Sequence, residues 1–279
     1  LRCTAEDCHS TTVYPPSQTG LTDAIECCRS LEAVDRDAIP VVTCHLTQST
    51  EGIANSDLTP RQALFLQAVH LATHQRHAHL GYDLTTDSMV RLREYTGIDT
   101  DAIADLKDRG LLTKHTDRPH RLYSLTQAGR DALDITRKLG RDYGDYVGDL
   151  NETSLHRLAI EDSQTYLDST FVDDPDHPAE TTVCYAPVDR DGDDDTRLDV
   201  ACLDPSGDIC VTLEVETINN DRKAAIPADY DKMAACDPTD AIWVVTGRAG
   251  GPAVLEPLNN PADGTTRAAK TYGETTPPH

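Results

Sequence analysis

Lysine is scarce in this chain. Its 279 residues include 6 lysines against 36 aspartates and 12 glutamates, and the formal net charge is −23. So acidic a chain has no general cationic surface, which counts against nucleic acid as a partner except where the sign reverses locally. Long apolar runs are missing too: none approaches the roughly 18 residues of a helical span, so neither a membrane span nor a membrane partner is expected. No basic-then-apolar signal segment opens the chain, and a start at Leu1 suggests trimming or missing residues. A Gly-rich phosphate loop, a Ser nucleophile elbow and a His-Glu-x-x-His motif are all absent. That sets aside P-loop nucleotide hydrolysis, α/β-hydrolase chemistry and zincin-type proteolysis. No internal repeat is present.

What is there is patterned. The residues are 38% hydrophobic and come in periodic runs, unlike a disordered chain. Excess Asp, scarce Lys and abundant Thr suggest adaptation to molar salt, where charge is screened within roughly 3 Å and an acidic surface keeps a protein soluble. The length suits two domains with a small appendage.

Nine cysteines without a secretion signal point to a reducing cytoplasm, with thiols as core residues or metal ligands. Residues 1–46 are the cysteine-dense part. Cys3-x₄-Cys8, with Cys27 or Cys28 and Cys44 or His45, offers a tetrahedral Zn²⁺ set, and we take Cys3, Cys8, Cys28 and His45 as its candidate ligands. A metal would help so short a segment fold. A metal-free segment is the other reading. Cys184, Cys202, Cys210 and Cys236 fall in apolar stretches and read as small core residues. His70, His74 and His77 share helical spacing, but without an acidic partner they read as a solvated helix surface.

A polar linker, Thr47 to Asp57, precedes the next domain, residues 56–140. Thr59-Pro60-Arg61-Gln62 is a capping box with proline at N1, and Leu64, Ala68, Leu71 and Ala72 follow at helical spacing. A second helix is expected from about Thr86 to Tyr95, ending at Gly97, and a third from Thr100 to Gly110. A hairpin turns at Asp117-Arg118-Pro119-His120. Thr126 then caps a helix running through Leu133 and Leu139. The stretches Asp105-Leu106-Lys107-Asp108-Arg109-Gly110-Leu111-Leu112 and Tyr123-Ser124-Leu125-Thr126-Gln127-Ala128-Gly129 resemble the winged helix-turn-helix superfamily. That resemblance implies binding to double-stranded DNA, with the third helix in the major groove. Lys107, Arg109, Lys114, Arg118 and Arg121 reverse the local sign against Asp108 and Asp117. Asp99, Asp101 and Asp105 sit where phosphate would approach, and protein docking is the competing use of such a domain.

Residues 151–260 read as a helix from Ser154 to Leu167, three strands (Thr181 to Ala186, Arg197 to Leu203, Ile209 to Glu216), a helix opening at Pro227, a strand Ala241 to Val245 and a helix Gly250 to Leu258. An acidic loop spans Asp189 to Asp195, and residues 261–279 are expected to be a mobile tail. Asp199 lies in the second strand. Glu214 and Glu216, two apart, share one face of the third. Three carboxylates from adjoining strands make a candidate Mg²⁺ site for phosphodiester hydrolysis. The bland alternative is a solvated acidic face, although Asp and Glu are disfavoured in strands.

Helix, three strands, helix, strand resembles the restriction-endonuclease-like fold, whose site is Asp, a spacer, then Asp/Glu-x-Lys. Here Glu216 stands at the lysine position. The resemblance implies that Asp199 and Glu214 bind Mg²⁺ and that Glu216 orients or deprotonates the attacking water. Glu161 is a further acidic candidate, and Lys223 or Lys232 a displaced lysine.

The expected fold is therefore α+β multi-domain: a Cys-rich segment, a winged helix-turn-helix and an α/β restriction-endonuclease-like domain. Residues 55 to 260 resemble the replication-relaxation family of plasmid and mobile-element proteins, which implies DNA processing for a plasmid, virus or other mobile element. The alternatives are a non-catalytic winged-helix regulator whose acidic domain makes protein contacts, and an interaction module touching neither metal nor DNA. A homodimer or a protein partner is compatible with each.

Overall fold

The computed structural model describes residues 46, 48–76, 82–117, 120–135, 148–188, 196–217 and 222–274. The chain divides into two compact units, Leu1–Thr136 and Arg137–His279. It is mixed α+β, and no helix among the described residues is long and apolar enough to cross a membrane.

In the first unit, α1 (Thr50–Asn55), capped by Ser49, occupies what reads in sequence as a polar linker. The Thr59 box forms as its spacing requires. Thr59 Oγ1 accepts from Gln62 N at 3.2 Å, and Gln62 Oε1 accepts from Thr59 N at 2.9 Å. It opens α2 (Pro60–Thr73), which is buried almost all round and serves as the unit's central helix. His70 is buried on it, which corrects the expected solvated surface for that histidine.

The second helix, α3 (Val90–Thr96), begins four residues later than expected. Asp83 Oδ1 accepts the Thr85 amide at 2.8 Å and Asp87 Oδ2 accepts the Asp83 amide at 3.0 Å, closing residues 83–87 into a turn ahead of the helix. Gly97, at φ 69°, ends α3 as expected. Asp99 caps α4 (Thr100–Asp108), whose Ile103 and Leu106 are buried. Strands β1 (Leu112–Thr116) and β2 (Leu122–Leu125) form an antiparallel hairpin in which Tyr123 meets Phe65 edge-on.

Thr126 caps α5 (Gln127–Asp131), which ends before Leu133, and the chain turns left-handed at Asp134; Leu139 lies outside the described residues. Gly129 is required there, because a Cβ would run into the Leu111 carbonyl.

The second unit is one four-stranded sheet between helices. Thr153 caps α6 (Ser154–Leu167), which continues as a π-helical turn, Asp168–Val172. Then come β3 (Thr181–Pro187), β4 (Arg197–Leu203), β5 (Ile209–Glu216), α7 (Arg222–Ala235), β6 (Asp240–Val245) and α8 (Gly250–Asn259). The strand order is β3-β4-β5-β6, with two antiparallel pairings and a parallel β5–β6. Helix α7 starts before Pro227 rather than at it.

One face of the sheet, including Val200, Cys202, Val211, Leu213 and Val215, packs on Ile160 and Leu167 of α6. The other packs Leu198 and Ala201 on Met233 of α7. Cys202 and Cys210 are buried, Cys184 and Cys236 half-buried, and all four are free thiols, as expected of core residues. Residues 261–274, expected as part of a mobile tail, are anchored: Arg267 pairs with Asp231 at 2.8 Å and Asp263 at 2.6 Å, and Asn259 bonds Lys270 twice through its side chain.

Candidate functional site

The sheet forks. Strand β4 stays paired with β3 as far as Pro187↔Arg197, whereas its pairing with β5 ends at Val200↔Leu213. Strand β5 goes on beside β6 to Glu216↔Val245. Asp199 is the first residue inside the gap. Its Oδ2 accepts the Val215 amide at 2.8 Å, standing in for a β4 carbonyl, and its Oδ1 lies 3.3 Å from His156 Nε2 on the first turns of α6.

Glu214, on the facing strand, is buried, with Oε1 2.8 Å from Lys232 Nζ of α7; Lys232 also reaches Asp229 Oδ1 at 3.0 Å. Glu216 is half-buried, and its Oε1 is shielded from water with no hydrogen-bond partner among the described residues. Asp199 and Glu214 thus meet at the fork, with Glu216 farther along the Glu214 face.

The fork sets the electrostatics. Burial pushes Glu214 well up from the usual carboxyl range and the Asp199 charge adds to that, while Lys232 pulls it down. Burial disfavours the Lys232 ammonium, but Glu214 and Asp229 outweigh it and hold the group above its ordinary value. These two shifts pull against each other. Two carboxylates, Glu214 and Asp229, face Lys232 and favour its charged form. Burial likewise raises Asp199, yet His156, the Val215 amide and Lys232 together bring it below the ordinary value. Burial lowers His156, and Asp199 and Glu152 more than restore it. Glu216 is raised, chiefly by burial and then by Asp229, as a general base would require.

The donors are hard oxygens, which suits Mg²⁺, and the unengaged Glu216 Oε1 is the atom an ion or its water would satisfy. As arranged, no three His, Cys, Asp or Glu among the described residues gather closely enough to hold a metal ion, because Asp199 and Glu214 are engaged with His156, Val215 and Lys232. The zinc candidates Cys3, Cys8, Cys28 and His45 lie outside the described residues.

Glu152, His156, Arg157, Tyr185 and Asp229 are parts of the site that sequence reasoning passed over. The signal for three of them was an ionisable cluster, Glu152, His156 and Arg157, beside the Thr153 cap. Glu161 acts on the Cys184 thiol, and His156 is the α6 residue that contacts Asp199. Of the two candidate lysines, Lys232 reaches the fork and Lys223 is exposed.

In the first unit the candidate DNA contacts are largely engaged by neighbouring acids. Lys114 and Arg121 both bind Asp117, at 2.6 and 2.8 Å. Arg109 reaches the Asp57 carbonyl at 2.9 Å and Asp105 at 3.3 Å. Lys107 is exposed, and Arg118 lies outside the described residues. Comparison with protein-family models, with curated proteins and with solved structures found no match to this chain.

Proposed function

We propose that the chain is a DNA-binding protein whose second unit is a metal-dependent, nuclease-like phosphodiester hydrolase. The observation that carries this reading is the pair of carboxylates, Asp199 and Glu214, where β4 parts from β5, with Lys232 2.8 Å from Glu214 and an unengaged Glu216 oxygen beyond. The element order and the mixed β3-β4-β5-β6 sheet support a restriction-endonuclease-like core. Helices α2, α3 and α4, the hairpin and the short closing helix α5 of the first unit support a winged helix-turn-helix that docks on duplex DNA.

Asp199 and Glu214 are the residues that would hold Mg²⁺, exchanging their contacts with His156 and Lys232 for the ion, which would polarise a phosphate and acidify water. Glu216, raised by burial, would accept a proton from the attacking water, and the Lys232 ammonium would offset charge developing on the phosphate. Such a protein fits DNA processing for a plasmid, virus or other mobile element.

The test is cleavage of a supercoiled plasmid in molar salt with Mg²⁺ or Mn²⁺. Asp199→Asn and Glu214→Gln, which preserve shape, are each expected to reduce nicking by at least about 100-fold, of the order seen when a transition-state interaction is removed. Nicking untouched by both substitutions would move the chemistry elsewhere.

A second reading is favoured by the engagement of Asp199 and Glu214 in ion pairs: a non-catalytic core beside a winged-helix regulator. It requires duplex binding with no metal-dependent cleavage under the same conditions.

A further inference from the structure

Tyr185 holds a backbone conformation that residues with side chains avoid. Its φ is 53° within β3, a left-handed value that an aromatic residue holds only where the surroundings impose it. The β3–β4 register passes from Cys184↔Val200 to Ala186↔Leu198, so the kink falls level with Asp199. It turns the Tyr185 ring into the core beneath α6, while Ala186 and Leu198 pack on the opposite face.

A closed ring of contacts holds the kink. The Tyr185 hydroxyl donates to Glu152 Oε2 at 2.8 Å, and Arg157 Nε reaches the same oxygen at 2.6 Å. The guanidinium lies over the Tyr185 ring, 5.0 Å from its centre, and Nη2 donates to the Asp149 carbonyl at 3.2 Å. Glu152 Oε1 accepts the Asp149 amide at 3.1 Å. Gly148 closes the ring at φ 78°; a Cβ there would come within 2.6 Å of Tyr185 Cε1 and 2.8 Å of Arg157 Nη2. The ring ties residues 148–152 and the start of α6 to the kink. His156, one residue before Arg157, is thereby brought 3.3 Å from Asp199 Oδ1.

We propose that Tyr185 is a positioning residue: through Glu152 and Arg157 it fixes the start of α6 so that His156 holds the Asp199 carboxylate in the fork, with its second oxygen on the Val215 amide. The consequence for metal affinity rests on the function proposed above. The placement of Asp199 does not.

The test uses the full chain with Tyr185→Phe, which deletes one oxygen and keeps the ring. In metal-free protein the Val215 amide is expected to exchange roughly three- to tenfold faster, while Val211 and Leu213 keep their native rates. Gly148→Ala, which displaces the ring by a different route, is expected to do the same. An unchanged Val215 rate overturns the proposal, and so does an equal acceleration at Val211 and Leu213, which marks general loosening.

Titration with Mn²⁺ alone gives the second readout, an affinity expected to fall about 10- to 100-fold in Tyr185→Phe. Equal affinity in native and variant chains that bind the ion places the ion away from Asp199 and sinks the metal reading, while the Val215 rate decides the positioning role. A native chain that binds no Mn²⁺ while Val215 still accelerates in the variant sinks the metal reading and leaves the positioning role standing.

Discussion

Lys232 Nζ and Glu214 Oε1 approach to 2.8 Å between α7 and β5, with side chains only 11% and 7% exposed. A pair this far from water is costly to form and more costly to break, because removing one partner strands the other charge. Lys232→Met alone is expected to cost about 3–5 kcal/mol of unfolding free energy. In the double variant Lys232→Met, Glu214→Gln, the second change removes the stranded carboxylate, so the total should be well below the sum of the single losses. Urea unfolding of the four chains in molar salt measures this. Additive losses would mean that the two groups do not act on each other.

The strands of this site were legible in the sequence, and its geometry was not. Arg197–Leu203 and Ile209–Glu216 stand out because apolar runs flank an Asp-Pro-Ser-Gly-Asp turn, and the structure forms them at those bounds. The fork depends on where β4 ceases to pair with β5, a property of two strands that neither sequence carries alone. Lys232 reaches Glu214 only because α7 crosses that face of the sheet. His156 and Arg157 look like ordinary polar residues at a helix start until α6 is set against β3. In the first unit, where α3 is expected to start near Thr86, residues 83–87 instead form a turn closed by the Asp83 and Asp87 side chains, a local arrangement that apolar spacing does not reveal.

His115 makes the first unit sensitive to pH. Burial pushes its imidazole below the ordinary value, and Nε2 lies 2.9 Å from Ser124 Oγ across the hairpin. The folded state therefore binds this proton less readily than the unfolded state, whose imidazole titrates near 6.5. The contribution is complete above that pH and is lost as pH falls through the unfolded value toward the lower folded one. Amide protection in β1 and β2, corrected for the intrinsic pH dependence of exchange, should fall between pH 7.5 and 5, and His115→Gln should flatten that change. A variant with the native pH response would assign the effect to another group.

Asp117 is the acid that offsets the basic residues of the β1–β2 hairpin. It binds Lys114 at 2.6 Å and Arg121 at 2.8 Å, and all three side chains are substantially exposed. Exposed pairs of this kind contribute about 0–1 kcal/mol, so they do not prevent either cation from turning to a phosphate. Asp117→Asn should therefore leave the fold almost unchanged and release two positive charges at the hairpin. Duplex affinity is expected to rise several-fold at the lower end of a salt series, with the slope of log affinity against log salt steeper by about one. Arg121→Ala should act in the opposite sense, weakening binding and reducing the slope by about one. Fluorescence anisotropy with a labelled duplex measures both. If neither substitution moves the affinity, phosphate does not meet this hairpin, and the proposed duplex contact through β1 and β2 falls.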